Sequence, residues 1–109
     1  MYLNGYRLMW VFVLFDLPVD TKKARHDYTK FRKWLLEDGF LMLQFSVYGR
    51  CCASWEAAEV HAGRVGRRVP DDGEVRVFFL TDKQFGRQKI FDGKRRKQPE
   101  KAPKQLEFF

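Results

Sequence analysis

The chain has only two cysteines, Cys51 and Cys52, and they are neighbours. Adjacent cysteines rarely bridge to each other, and no Cys-x-x-Cys spacing or histidine-rich partner offers a zinc site. They read as reduced, buried thiols of a cytoplasmic protein. No apolar run approaches the ~20 residues of a membrane span. The first residues, "MYLNGYRLMWVFVLF", hold an apolar stretch too short for a signal peptide, carry no cleavage site, and are closed by an aspartate. There is no internal repeat. Acid is scarce at the start: Asp16 is the one acidic residue among the first nineteen.

The 109 residues are enough for one small domain and too few for two. An apolar fraction of 45% allows a core. Aromatics reach 17%, with eleven Phe, and small chains this rich in large apolar side chains often hide part of them between subunits. The net charge of +7 and pI near 9.6 point to a polyanionic partner, nucleic acid first and anionic lipid second.

Leu8 to Phe15 is apolar at every position, the pattern of a central strand covered on both faces. Pro18 cannot donate to a ladder and ends it. A helix follows, with Asp20 as N-cap and Gly39 past its C-terminus. Ala24, Tyr28, Phe31 and Leu35 share its apolar face. "FLMLQFSVYGRC" divides into two short antiparallel strands, Phe40–Gln44 and Ser46–Cys51. Ser54 caps a second helix with Ala58, Ala62, Val65 and Val69 on one face, weakened by Gly63 and Gly66. Asp71-Asp72-Gly73 is a turn. Glu74 to Thr81 alternates as a strand, and Phe85 to Phe91 reads as an extra one. From Gly93 onward "GKRRKQPEKAPK" has six basic residues and two prolines and reads as a flexible basic arm ending in the apolar "QLEFF".

The order strand, helix, strand, strand, helix, strand is the split βαβ, ferredoxin-like arrangement, an α+β fold. Residues 1–92 form that domain and 93–109 the arm. Both helices cover one face of one sheet. The unbroken apolarity of Leu8–Phe15, with Phe78 and Leu80 opposite Val77 and Phe79, requires a cover for the second face. A second copy of the chain supplies it, so a homodimer is expected.

Asp16 has two readings. An Asp before Leu-Pro opens turns. An aspartate ending a central strand is also placed to present its carboxylate. One carboxylate holds Mg²⁺ poorly, and no second acid stands clearly beside it: Asp20 is used as a cap, and Asp71 and Asp72 lie in a turn. Across a two-fold axis, however, Asp16 meets its own copy. The pair with a phosphodiester would hold one metal ion that polarises the phosphate.

The combination of "FDLP", then "QFSVYGR" some thirty residues on, then "VFFLTDKQFGRQKIFDG" resembles the family of the second universal CRISPR-associated protein (Cas two) over nearly the whole chain. "KQFGRQKIF" and "QLEFF" are most similar to its type II branch. The resemblance implies a ferredoxin-like homodimer in which Asp16 of both subunits is catalytic and coordinates Mg²⁺ (or Mn²⁺). It implies a metal-dependent endonuclease acting on RNA or DNA. It implies a CRISPR spacer-acquisition subunit that bridges dimers of the integrase subunit (Cas one) and holds double-stranded prespacer DNA, the integrase alone joining DNA ends. The scaffold role is carried over more firmly than the catalytic one. One departure stands in the loop after the first strand: the family often has an arginine early there, and this chain has Val19-Asp20-Thr21.

Phosphates require cations in a row. Lys22, Lys23 and Arg25 begin near Asp16 and a helix N-terminus, Arg50 follows Gly49, and Lys94, Arg95 and Arg96 open the arm. Lys30, Arg32 and Lys33 read as a solvated face, and Arg64, Arg67 and Arg68 stay open between the two uses. Sheet aromatics such as Tyr48 and Phe78 could stack bases as in RNA-recognition modules, but "SVYGRCC" lacks the basic-Gly-aromatic pattern of those modules, and dimer core is favoured. His26 lies in the basic helix beside candidate phosphates, and His61 reads as a packed surface histidine. "QLEFF" adds to a sheet edge of a partner or is unstructured. Two rival functions remain: a catalytically silent DNA-binding scaffold, and a toxin-like endoribonuclease of the same fold.

Overall fold

In a computed structural model describing residues 8–94, the apolar run forms β1 (Met9–Asp16) at the centre of a sheet ordered β2-β3-β1-β4. Its neighbours β3 (Val47–Cys52) and β4 (Glu74–Thr81) both pair with it antiparallel, and β2 (Leu41–Gln44) lies outside β3. With α1 (Lys22–Glu37) after β1 and α2 (Trp55–Gly66) after β3, the chain has the expected ferredoxin-like topology.

Alternation along β1 sorts its residues into two faces. Met9, Val11, Val13 and Phe15 point toward the helices and join one core with Phe31 and Leu35 of α1, Ala58 and Val65 of α2, and Phe40, Tyr48 and Cys52. Phe15 is the aromatic hub, 5.2 Å from Phe31 edge-on and 5.6 Å from Tyr48 in a stack.

Helix ends follow from local chemistry. Thr21, not Asp20, caps α1: its hydroxyl accepts from Ala24 N–H at 3.0 Å, so the helix starts one residue later than the sequence suggests. At the other end Gly39 takes φ +94°, its N–H reaches Leu36 O at 3.1 Å, and Phe40 N–H reaches Leu35 O at 3.0 Å. This left-handed exit satisfies two terminal carbonyls and lays Phe40 against Leu35. Ser54 caps α2 as expected, accepting from Ala57 N–H. That helix stops at Gly66, so Val69 lies in the following loop and is exposed, off the apolar face expected to include it.

The extra strand expected over Phe85–Phe91 is absent from the described residues. Instead Thr81 and Gln84 form a reciprocal capping box that starts a short helix, α3 (Asp82–Gly86). Phe85 stacks on Trp10 at 4.2 Å and lies 5.3 Å from Phe12, while Trp10 Nε1–H donates to Asp82 at 2.8 Å. One end of the second sheet face is thus covered from within the chain. Residues 88–92 have no regular structure, with Ile90 and Phe91 exposed. Most of the expected basic arm, including "QLEFF", lies outside the described residues.

Candidate nucleic-acid interface

Asp16 is the last residue of β1 and is exposed. By alternation it lies on the face away from the helices, in line with Trp10, Phe12 and Leu14. The same face carries Phe78 and Leu80 of β4 and Leu41 and Leu43 at the β2 edge, all at least 36% exposed. Asp16 therefore borders an apolar surface that the two main helices leave uncovered.

The backbone beneath Asp16 is fixed by Gly73, which has φ +101°. A Cβ there would stand 2.6 Å from Leu17 Cδ2 and 2.8 Å from Asp16 O, so only glycine lets the loop before β4 rest on the end of β1.

Directly across the ladder from Asp16 is Glu74. Opposed residues of an antiparallel pair hold their Cβ atoms ~5 Å apart, so a second acid does stand beside Asp16 within one chain. The sequence contained the signal: two adjacent antiparallel strands of equal length place the first residue of one against the last of the other. Glu74 is engaged, however. Arg76 Nε and Nη2 donate to its two oxygens at 3.2 and 3.3 Å, and the carboxylate holds the Arg76 guanidinium above its already high ordinary pKa. Among the described residues no three His, Cys, Asp or Glu side chains converge as a metal site. The hard oxygen of Asp16 suits Mg²⁺ or Mn²⁺, but among the described residues the strand pair Asp16–Glu74 offers that ion one uncommitted carboxylate, which is too few without further ligands.

The expected cations differ in their freedom. Lys22 is exposed on the first turn of α1. Lys23 donates to Asp27 at 2.8 Å, a contact that raises the lysine pKa and lowers that of the aspartate. Arg25 donates to Val19 O at 3.1 Å and so braces the loop leaving β1. Arg50 is placed apart from the other candidate cations. It pairs with Val11, which puts it on the helix side of the sheet, where Nε donates to Asp38 O at 2.8 Å and Nη1 to Cys51 O at 3.1 Å. Its guanidinium closes the C-terminus of α1, on the face away from Asp16. Lys94 is exposed, and Arg95 and Arg96 lie outside the described residues.

Two polar features had no sequence signal. Asp38, at the end of α1, lies 2.8 Å from His61 Nδ1 and accepts from Arg64 at 3.2 Å, tying α1 to α2. His61 therefore has a carboxylate partner, but the pair serves the helix junction, far along the chain from Asp16. The cysteines also divide: Cys52 is buried, whereas Cys51 is exposed on the face of Trp10, against the expectation of two buried thiols. Partial desolvation of its sulfur, and then the Asp82 carboxylate, push the Cys51 thiol up. Tyr48 is buried in the core and has no face for a base, while Phe78 is half exposed.

A family model described as CRISPR associated protein Cas2 matches residues 9–88, from the start of β1 past the end of α3. The chain belongs to the Cas2 family. It is 57% identical over 101 residues to the CRISPR-associated endoribonuclease Cas2 of Parvibaculum lavamentivorans, covering 93% of this chain and all of the relative. It is 50% identical over 107 residues to the protein of that name from Flavobacterium psychrophilum, covering 98% of this chain and 93% of the other. A solved structure titled "Crystal structure of cas2" superposes with TM-score 0.54 at 22% identity, over 84% of this chain and 95% of that one, which supports the shared Cas2 fold. Among the described residues no helix is long and apolar enough to cross a membrane.

Proposed function

We propose that this chain acts in CRISPR spacer acquisition as a two-fold dimer that binds nucleic acid, bridges integrase dimers and hydrolyses phosphodiester bonds at paired Asp16 residues. The observation that carries this reading is the placement of Asp16. It is exposed, at the end of the apolar face that the main helices leave open. Closing that face against a second copy buries Phe78, Leu80, Leu41 and Leu43 and brings the two carboxylates to a common edge. The names of the relatives supply the reaction class, endoribonuclease. Asp16 of both copies would hold a Mg²⁺ or Mn²⁺ ion, which supplies Lewis-acid chemistry at a bound phosphate. Arg25 stiffens the loop after β1, Gly73 fixes the backbone under the carboxylate, and Lys22 with Lys94 attracts the polyanion. Duplex prespacer DNA is the substrate of the bridging role and RNA that of cleavage. A second reading, a scaffold without chemistry, is favoured by the Arg76 contacts that tie up Glu74 and leave, among the described residues, Asp16 as the uncommitted carboxylate of that strand pair.

Asp16→Asn separates the two. Hydrolysis should fall ~100-fold or more in the substituted dimer while duplex binding, read by fluorescence anisotropy, is unchanged. A wild type with no metal-stimulated cleavage of either RNA or DNA leaves the scaffold. Growth arrest on expression with strict RNA preference would instead identify a toxin-like endoribonuclease.

A further inference from the structure

A basic groove runs along the outside of the molecule between α1 and the segment 67–71 that follows α2. It is an open furrow of about 440 Å³, lined by Lys30 and Trp34 on one wall and Arg67 and Arg68 on the other. It is not isolated. Lys23, Asp27 and Pro70 also line a smaller recess reaching Leu17, Pro18 and Thr21, in the loop that leaves Asp16. Trp34, Arg67 and Arg68 also line a further hollow that ends at Arg64. The three form one track along α1, and from Lys23 to Trp34 alone it spans ~16 Å at 1.5 Å per residue.

Its charges are unevenly committed. Asp27 is paired with Lys23, Asp38 is held by His61 and Arg64, and Asp71 and Asp72 are the other acids along the track. Among the described residues, Lys30, Arg67 and Arg68 have no carboxylate partner within salt-bridge distance. Arg68 is held with its guanidinium 5.2 Å above the Trp34 ring, which fixes a cation without neutralising it. Unpaired cations on both walls of a groove, one of them layered on an indole, are the elements of a single-strand site: the cations flank the phosphates and the guanidinium–indole layer contacts a base.

We propose that this groove binds a single-stranded segment of nucleic acid, with phosphates on Lys30 and Arg67 and a base against the layered Arg68 and Trp34 side chains. The proposal rests on the nucleic-acid reading above and adds to it a second contact surface, on the helix side of the sheet and continuous with the loop after Asp16. A strand lying there extends away from the open sheet face, so single-strand binding and dimer formation do not compete.

The test compares short labelled oligothymidylate with a labelled duplex, by anisotropy across a salt series. In the double variant Arg67→Glu, Arg68→Glu, single-strand affinity should fall about 10-fold or more. The slope of log K against log salt should flatten by ~0.7, the value for one phosphate contact on a single strand. Duplex binding should persist. Lys30→Glu, an exposed position with no packing role, should weaken the single strand in the same direction and covers the case in which loss of the Arg68–Trp34 contact unfolds the double variant. Oligothymidylate should also quench tryptophan emission in the wild type, and Trp34→Phe should remove that response. Unchanged single-strand affinity and slope in both charge variants overturns the groove and leaves the dimer reading standing. Equal losses for duplex and single strand overturn the assignment to one strand. A wild type that binds neither form overturns the groove together with the reading on which it rests.

Discussion

The two faces of one sheet have different fates. Toward the helices, Val11, Val13, Leu35, Ala58 and Val65 have no exposed surface at all. On the opposite face Phe78 is 52% and Leu41 43% exposed, although both side chains are as apolar as those of the core. Among the described residues, Phe85 closes one corner of that face. Apolar side chains are therefore recruited for two purposes. One face drives the collapse of a single chain, and the other stores ~25 cal/mol for each square ångström that a second body could cover. Asp16 belongs to the second face, so its carboxylate stands apart from the core that folds the chain.

The sharpest way to break that comparison is to damage each face in turn. Leu35→Ala empties a fully buried site on the helix face and should cost 2–5 kcal/mol, roughly the range for core leucines. In a domain of this size that lowers the melting temperature by roughly 4–8 °C per kcal/mol, read by calorimetry or circular dichroism. A loss below ~1 kcal/mol would mean that the core face is not the one that holds the fold.

Phe78→Lys strikes the other face. The substitution leaves the helix-side core untouched, so at low protein concentration it should change melting by less than ~0.5 kcal/mol. Its effect should appear in association. The wild type should sediment as a dimer at micromolar concentration and melt at a temperature that rises with concentration, and the variant should do neither. A variant that still sediments as a dimer would place the subunit contact elsewhere and remove the argument that two Asp16 carboxylates meet.

What could be read from sequence tracks how local each feature is. β1 was visible in eight consecutive apolar residues, β4 in its alternation, and α2 in Ser54. The α1 cap was displaced by one residue because Asp20 and Thr21 are both good caps and only the hydroxyl geometry chooses between them. α3 was legible as Thr81-x-x-Gln84, yet the aromatics at Phe85 and Phe91 suggested a strand, since spacing alone does not reveal that Phe85 turns back onto Trp10. The site shows the same gradient. Asp16 stood out from its neighbours. Glu74 followed from strand pairing but needed the register. Arg50 could not be placed, because a shift of one residue moves a strand side chain to the opposite face. The Asp38–His61 contact joins residues from two helices and has no sequence signature.

Cys51 gives the finest probe of the contrast, because it lies on the open face while its neighbour Cys52 is buried in the core. The fold favours the neutral Cys51 thiol, so its pKa lies above the ordinary 9.0. The sign is that of a group raised on folding: the resulting stabilisation is complete below the ordinary thiol pKa and is lost as pH rises through the raised value. Only the thiolate alkylates, so the iodoacetamide rate at Cys51, followed by mass spectrometry, should reach half its plateau at a higher pH than in the denatured chain. Cys52 should react only as the chain unfolds. Covering the open face with a second copy adds desolvation, so the Cys51 curve should move further upward in the wild-type dimer than in Phe78→Lys. Coincident curves for those two proteins would mean that the open face meets water in both, and the division of labour between the faces would fail at its most sensitive point.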